Sequence, residues 1–210
     1  MTKALRWRVL VLQAGLVLIL GFVAGFAFWA SSFTHSQVTS QLAAQGIVFP
    51  AYNSASIKAL PAADAAAMNQ YAGQTMTTGP QAEVWADDYI KVHLGEIGYT
   101  YDQASALARA NPTSTKDAGI ETTVFMGTTL RGMLLNAYGW WTVGTYAGFA
   151  AVGLTVAAGV ALLALCFELW RWLVAVRETR STTIPSPALA PAGGSLAPDL
   201  GLARMTRHDS

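Results

Sequence analysis

The sequence contains one cysteine, three histidines and only 12% charged residues. Because Cys166 has no second cysteine to pair with, no internal disulfide can form, and we interpret it as a small apolar packing residue. No Ser-His-Asp order, phosphate-binding loop, dinucleotide fingerprint or Cys-pair motif occurs. The net charge of +1 gives no basic footprint for nucleic acid. These absences argue against several common enzyme classes and against nucleic-acid binding.

Charge is missing altogether from two apolar stretches, Val9–Ala30 and Thr142–Phe167. At 1.5 Å per residue they reach about 33 Å and about 39 Å, enough for a hydrocarbon core of about 30 Å. The longer stretch must tilt or protrude, and its more polar first third indicates that it protrudes at that end. The pattern predicts two transmembrane helices in contact with a lipid bilayer.

Tryptophans lie at the ends of both stretches, as in an interfacial aromatic belt. Scattered tryptophans in a soluble core would not bracket the stretches in this way, so we disfavour two buried helices of a soluble domain. The residues are Trp7 and Trp29 for the first stretch, and Trp140, Trp141, Trp170 and Trp172 for the second.

Basic residues flank the two stretches on their outer sides. Residues 31–139 between them carry eight carboxylates against five Lys and Arg. The bias of basic residues predicts cytoplasmic N- and C-termini in a multi-pass protein of the plasma membrane, with the acidic middle outside. The flanking residues are Lys3, Arg6 and Arg8, and Arg171, Arg177 and Arg180.

A cleaved signal peptide is the alternative interpretation of the first stretch. Ala30, Ser31 and Ser32 have the small side chains of a cleavage site. Against cleavage, the apolar run exceeds the roughly 7–15 residues of a signal core, and the sequence after it continues in helical register. We therefore favour a retained anchor.

The residues between the stretches predict a small helical domain, which we call the helical domain (residues 31–141). Capping boxes at Thr78–Gln81 and Thr100–Gln103 open two helices. The first ends near Gly98 and carries one buried stripe (Trp85, Tyr89, Val92, Leu94); the second stops before Asn111-Pro112. Ala62–Tyr71 is a further helix, and strands are not expected.

Both apolar stretches are expected to continue as helix into the helical domain, over 31–45 and from Lys116 onward, because neither extension contains proline. Segments Gly46–Pro61 and Gly73–Pro80 are expected to be loops. The fold class is thus all-α, with two transmembrane helices that extend into a small extracytoplasmic bundle. The expected division is 1–8 cytoplasmic, 9–30 first span, 31–141 helical domain, 142–167 second span and 168–210 cytoplasmic, disordered from about 181.

One part of the chain resembles a known family. Glu121–Gly148 (ETTVFMGTTLRGMLLNAYGWWTVGTYAG) resembles a signature of small two-span actinobacterial membrane proteins, as do Leu60–Tyr71 (LPAADAAAMNQY) and Ala82–Glu96 (AEVWADDYIKVHLGE). The similarity covers both apolar stretches and most of the helical domain. Members of the family often carry the label aromatic ring-opening dioxygenase, so the resemblance implies that label without a mechanism.

Ring-opening chemistry on non-haem iron typically needs two histidines and one carboxylate around an open metal position. His93 and Glu96 lie three residues apart on one predicted helix face. His35 lies about five residues beyond the first stretch, and His208 is in the tail on the other side of the membrane. His93, Glu96 and His35 are therefore the metal candidates, but a solvated helix face explains the pair better, and we expect no cofactor.

Two groups of charged residues are further candidates. Glu83, Asp87 and Asp88 cluster near Lys91 on one predicted helix. They could divide acid and base roles if burial split their pKa values, but we favour a solvated acidic face. Arg131 is expected to pair with Glu121 or Asp117, or else to meet lipid phosphate.

Each apolar stretch carries a pair of glycines at small-xxx-small spacing, Gly21 with Gly25 and Gly144 with Gly148. The predicted orientation puts both pairs at similar depth. We expect the two spans to pack against each other through them, with contact between copies of the chain as the alternative.

Taken together, the residues predict a non-enzymatic integral membrane protein that displays its helical domain outside, as an accessory subunit, scaffold or sensor. A metal-dependent envelope enzyme and an oligomeric channel or transporter component are the alternatives. The expected partners are the lipid bilayer and either a second copy or another membrane protein. Neither span carries an embedded charge that would mark an ion pathway.

Overall fold

The computed structural model describes residues 3–181, and these residues form helices, with one isolated bridge between Val48 and Thr75. The predicted all-α fold class is confirmed, and no strand occurs in this range. The elements are α1 (Lys3–Gln45), α2 (Ala55–Lys58), α3 (Ala62–Asn69), α4 (Gly79–Val84), a π-helical segment (Trp85–Ile90), α5 (Lys91–Ile97), α6 (Tyr101–Ala110) and α7 (Thr115–Ser181).

The sequence signals for helix ends are confirmed. Thr78 Oγ1 accepts from the Gln81 amide N–H at 3.4 Å, and Gln81 Oε1 accepts from the Thr78 N–H at 3.0 Å. The same reciprocal pair caps α6 at Thr100 and Gln103. Each box satisfies two backbone donors that the first turn would otherwise leave unpaired. Gly98 ends α5 with a φ of 77°, a left-handed conformation that glycine adopts without a Cβ clash.

One local expectation is incomplete and another is wrong. The helix expected from the Thr78 cap to near Gly98 is confirmed in its bounds, but its middle is a π-helical segment, in which the hydrogen-bond step is i to i+5. The segment Gly46–Pro61, expected to be a loop, contains the one-turn helix α2, whose Ile57 is buried. A single turn has too few residues to show a helical period, so the apolar pattern could not reveal it.

One apolar core holds the helical domain together. It joins side chains from both long helices to side chains from the short helices and loops. The expected stripe on α4–α5 packs against this core only half-buried, while Ala82, Ala86 and Ile90 on the same helix are buried. The buried members of the core are Val38, Leu42, Phe49, Ile57, Leu60, Met68, Met76, Ala82, Ala86, Ile90 and Leu134.

The two long helices, α1 and α7, pack against each other in antiparallel orientation. A Cβ on Gly144 would meet Thr34 and His35, and a Cβ on Gly148 would meet Ser31. Residue numbers therefore decrease along α1 as they increase along α7, which shows that the helices are antiparallel. Both helices are long and apolar enough to cross a membrane. Only 6% of the most apolar window of each is buried within the structure.

The residues of α7 after Cys166 form a separate small unit. Arg171 Nη1 lies 3.6 Å from Glu168 Oε1, and its guanidinium carbon lies 5.8 Å from the Phe167 ring centroid. The tail predicted to be disordered lies outside the described residues from 182 onward.

Candidate functional site

The most unusual local structure is the π-helical segment, which carries Asp87 and Asp88. Short π-helical stretches inside α-helices occur frequently at functional sites. The segment contacts α3, which brings Asp64 close to it. We call Asp64, Glu83, Asp87 and Asp88 the acidic patch.

Asp88 is the member of the acidic patch with altered chemistry. Partial burial, a hydrogen bond with Asp64 and the negative charges of Asp64, Asp87 and Glu83 raise the pKa of Asp88 from 3.8 to about 6. Burial is the largest cause of the raised pKa, because it disfavours the charged carboxylate. Each neighbouring carboxylate adds electrostatic repulsion. The acidic face stays partly exposed to solvent, and Asp88 holds its proton to a higher pH than an isolated aspartate would.

Asp87 is held by an ion pair. Arg131 donates from Nη2 and Nε to the same Asp87 oxygen, at 2.7 and 3.1 Å. Both side chains are about one-third exposed, so water screens the pair. The prediction that Arg131 pairs with Glu121 or Asp117 is wrong, because Arg131 faces the π-helical segment and pairs with Asp87. The pair links the acidic patch to α7.

His35 lies between the two long helices. Its Nε2 donates to the Trp141 carbonyl oxygen at 3.1 Å and lies 3.2 Å from Thr145 Oγ1. Its ring stacks on the Trp141 indole at 4.2 Å between centroids. Through Nε2 and its ring, His35 on α1 thus contacts Trp141 and Thr145 on α7 and joins the two long helices.

His93 and Glu96 lie on α5, away from such a contact. His93 Nδ1 donates to the Tyr89 carbonyl oxygen at 2.8 Å, and the two rings lie 4.5 Å apart. Glu96 is exposed. Within residues 3–181, the structure brings no three His, Cys, Asp or Glu side chains into a group that could hold a metal. The three metal candidates are thus not gathered into one site.

The glycines divide into two kinds. Gly144 and Gly148 lie against α1, but a Cβ on Gly21 or Gly25 would meet nothing within 4 Å. The expected pairing of the two glycine patches is therefore wrong. The antiparallel register places Gly144 and Gly148 opposite residues 31–35, six to ten residues beyond Gly25, because Val38 and Leu42 fix α1 in the core of the helical domain.

Two close approaches were not expected from the sequence. A Cβ on Gly79 would overlap the Trp141 side chain, and one on Gly127 would come within 2.7 Å of a Leu94 methyl group. Both glycines lie where a short helix crosses α7. Neither has a partner at four-residue spacing that faces the same contact, so no pattern in the sequence marks them.

The structure thus brings together an acidic patch in which the pKa of Asp88 is raised, an ion pair that ties this patch to α7, and a histidine contact between the long helices. These features connect the helical domain to the two apolar helices. No protein-family model, curated protein or solved structure matches the chain, and the family resemblance of Glu121–Gly148 stays a prediction.

Proposed function

We propose that this chain is a two-span membrane protein that displays its helical domain outside the cell membrane and acts without catalysis, as a sensor or accessory subunit. One observation carries the proposal: each long helix runs without a break from an apolar stretch into the core of the helical domain. A change in the domain would therefore be transmitted directly to the spans.

Exposure of the apolar stretches supports insertion into a membrane. Large apolar side chains lie exposed on the surface of both long helices, among them Leu12, Leu18 and Phe22 on α1 and Leu163 on α7. Apolar area left in water costs roughly 25 cal/mol per Å², whereas a hydrocarbon core removes this cost. With 6% of each apolar window buried, these helices are unlike the core helices of a soluble domain.

Retention of the first span is supported by contacts on both sides of the possible cleavage site. Ala24 is buried before it, and Ser31 lies against Gly148 just after it. Val38 and Leu42, farther along the same helix, belong to the core of the helical domain. N-terminal sequencing of the purified protein tests this: a start at residue 31 or 32 would contradict a retained anchor.

The orientation is proposed from the basic flanks and is tested by cysteine labelling. In a Cys166→Ala background, Asn111→Cys in the loop before α7 should react with an impermeant maleimide on intact cells. Ala190→Cys should react only after the membrane is opened. The two sites are matched controls for each other, and the reverse pattern would overturn the orientation.

The absence of catalysis is proposed from the sequence and is tested by metal analysis. Protein purified from its membrane is expected to hold neither iron nor zinc in stoichiometric amount. Stoichiometric metal that is lost in His93→Ala but kept in His208→Ala would instead support the dioxygenase label. A native mass that shows a defined ring of copies would favour the channel alternative.

A further inference from the structure

A cavity of about 550 Å³ lies between the two long helices within the helical domain, on α1 residues 33–45 and α7 residues 130–140. We call it the groove. Val38, Leu42 and Leu134 form its floor, and all three belong to the core of the domain. The groove therefore has a fixed apolar base, and its volume is typical of a ligand site.

The side chains of the groove are apolar or neutral. Gln37, Gln41 and Gln45 follow one edge at four-residue spacing, and Asn136 lies on the opposite helix. No residue that lines the groove is ionisable. Such a lining favours a hydrocarbon that leaves its charged group outside, because a buried charge would find no partner there.

The groove begins where the apolar stretches end. Phe33 and Trp140 form that end, and both are about half exposed. From residue 33 to 45 the helix rises about 18 Å, close to the roughly 15 Å depth of one leaflet of a 30 Å hydrocarbon core. The groove is thus as long as the tail of an ordinary membrane lipid and opens toward the place where such tails are concentrated.

We propose that the groove binds one acyl chain of a lipid from the adjacent leaflet, drawn out of the bilayer along α1 and α7. The inference rests on the proposed insertion of both helices. An acyl chain is favoured over a second copy of the chain because the groove opens at Phe33 and Trp140, beside the apolar stretches. The polar head stays beside Phe33 and Trp140, at the level of the bilayer surface.

The test uses the full chain in phosphatidylcholine nanodiscs that contain a phosphatidylcholine with a diazirine at the end of one acyl chain. After photolysis, labelled residues are located by mass spectrometry. A chain end inside the bilayer can reach only the spans. We expect label on the spans and also on residues 37–45 and 130–137, which a chain lying in its leaflet cannot reach.

The outcomes separate the two proposals. Label confined to the spans would overturn acyl binding in the groove and leave the membrane proposal intact. Label on neither would overturn membrane insertion itself. A dimeric mass together with an unlabelled groove would also overturn acyl binding, because a second copy would then cover this face.

A matched pair of variants fixes the location. Met133 lines the groove and Met126 does not, although both are on α7, seven residues apart, and 64% and 57% exposed. Met133→Trp should lower label in the groove by about tenfold, because an added ring overfills a shaped cavity. Met126→Trp should leave it unchanged, and label on the spans provides the internal reference. Full groove label in Met133→Trp would overturn the assignment.

Discussion

The two long helices, α1 and α7, bury side chains of different size in their two halves. Within the helical domain, the buried side chains of α1 and α7 are large: Val38, Leu42 and Leu134. Along the apolar stretches, the buried residues are small, such as Ala24 and Ala151. Large apolar side chains are therefore buried at some positions of the half that belongs to the helical domain, whereas the buried positions along the apolar stretches are small.

The proposed membrane insertion accounts for this difference. In water, burying a large apolar side chain stabilises the fold by about 1.5–3 kcal/mol, so the domain places these residues inside. In hydrocarbon that gain disappears, and helices instead associate through small residues that let their backbones approach. Under the proposed insertion, each long helix passes from one of these surroundings to the other along its length.

The largest test of this contrast compares two equally exposed residues. Leu18 is 73% exposed in the first apolar stretch, and Tyr52 is 70% exposed in the helical domain. Leu18→Arg should lower membrane insertion by about 3 kcal/mol, because arginine at a span centre is disfavoured by that amount. Tyr52→Arg should have no effect. The measurement is the fraction of protein that resists carbonate extraction.

Equal extraction of the two variants would break the contrast, because both surfaces would then face the same solvent. Leu18→Ala serves as the control for lost bulk. It should stay in the membrane fraction, since alanine carries no charge into the hydrocarbon.

A second test compares glycines that share a motif but not an environment. Gly144→Ala should destabilise the fold by about 1–3 kcal/mol, because its Cβ would strike Thr34 and His35. Thr34 cannot easily turn away, since its hydroxyl donates to the Ala30 carbonyl oxygen at 2.9 Å. Gly21→Ala should instead be neutral or stabilise by up to about 1 kcal/mol through helix propensity.

Pulse proteolysis of the purified protein over a urea series measures both free energies. The two changes in the free energy of unfolding need not be equal in size, but Gly144→Ala must be the less stable of the two variants. If Gly21→Ala were the more damaging change, the register of the two helices would be wrong.

The smallest expected effect concerns Asp88. Its pKa of about 6 lies above the ordinary 3.8, so the folded state retains a proton that the unfolded chain has released. The favourable contribution is full below about pH 3.8 and is lost as pH rises through about 6. Asp88→Asn should therefore stabilise the domain near pH 7.5 by about 1 kcal/mol, after solvent screening is allowed for, and little near pH 4.

Urea unfolding at the two pH values measures this difference. Glu96→Gln on the exposed end of α5 is the matched control and should shift neither value. A gain in Asp88→Asn that is the same at both pH values would show that packing, and not a proton, is responsible.

Local features of the fold were predictable because they depend on neighbours in sequence. Thr78 with Gln81, and Thr100 with Gln103, mark helix starts through bonds within one turn. The Asn111-Pro112 pair ends α6 at Ala110, since the residue before a proline avoids the helical conformation. The long apolar runs and proline-free extensions likewise predicted continuous helices.

The candidate site was less predictable because it depends on contacts between distant residues. Asp87 has a basic neighbour four residues away at Lys91, yet its ion pair is with Arg131, 44 residues away. Asp64 meets Asp88 only because α3 packs on the π-helical segment. No periodic pattern encodes where a π-turn begins, so the sequence alone placed these carboxylates on a regular helix.

The tight contact of Gly144 and Gly148 with residues 31–35 has a mechanical consequence. It lies between the core of the helical domain and the long apolar runs, and His35 reinforces it by stacking on Trp141. Two stiff helices that approach closely at such a point can pivot about it. A small change in the crossing angle on the side of the helical domain would then be repeated on the other side of this pivot, between the proposed spans.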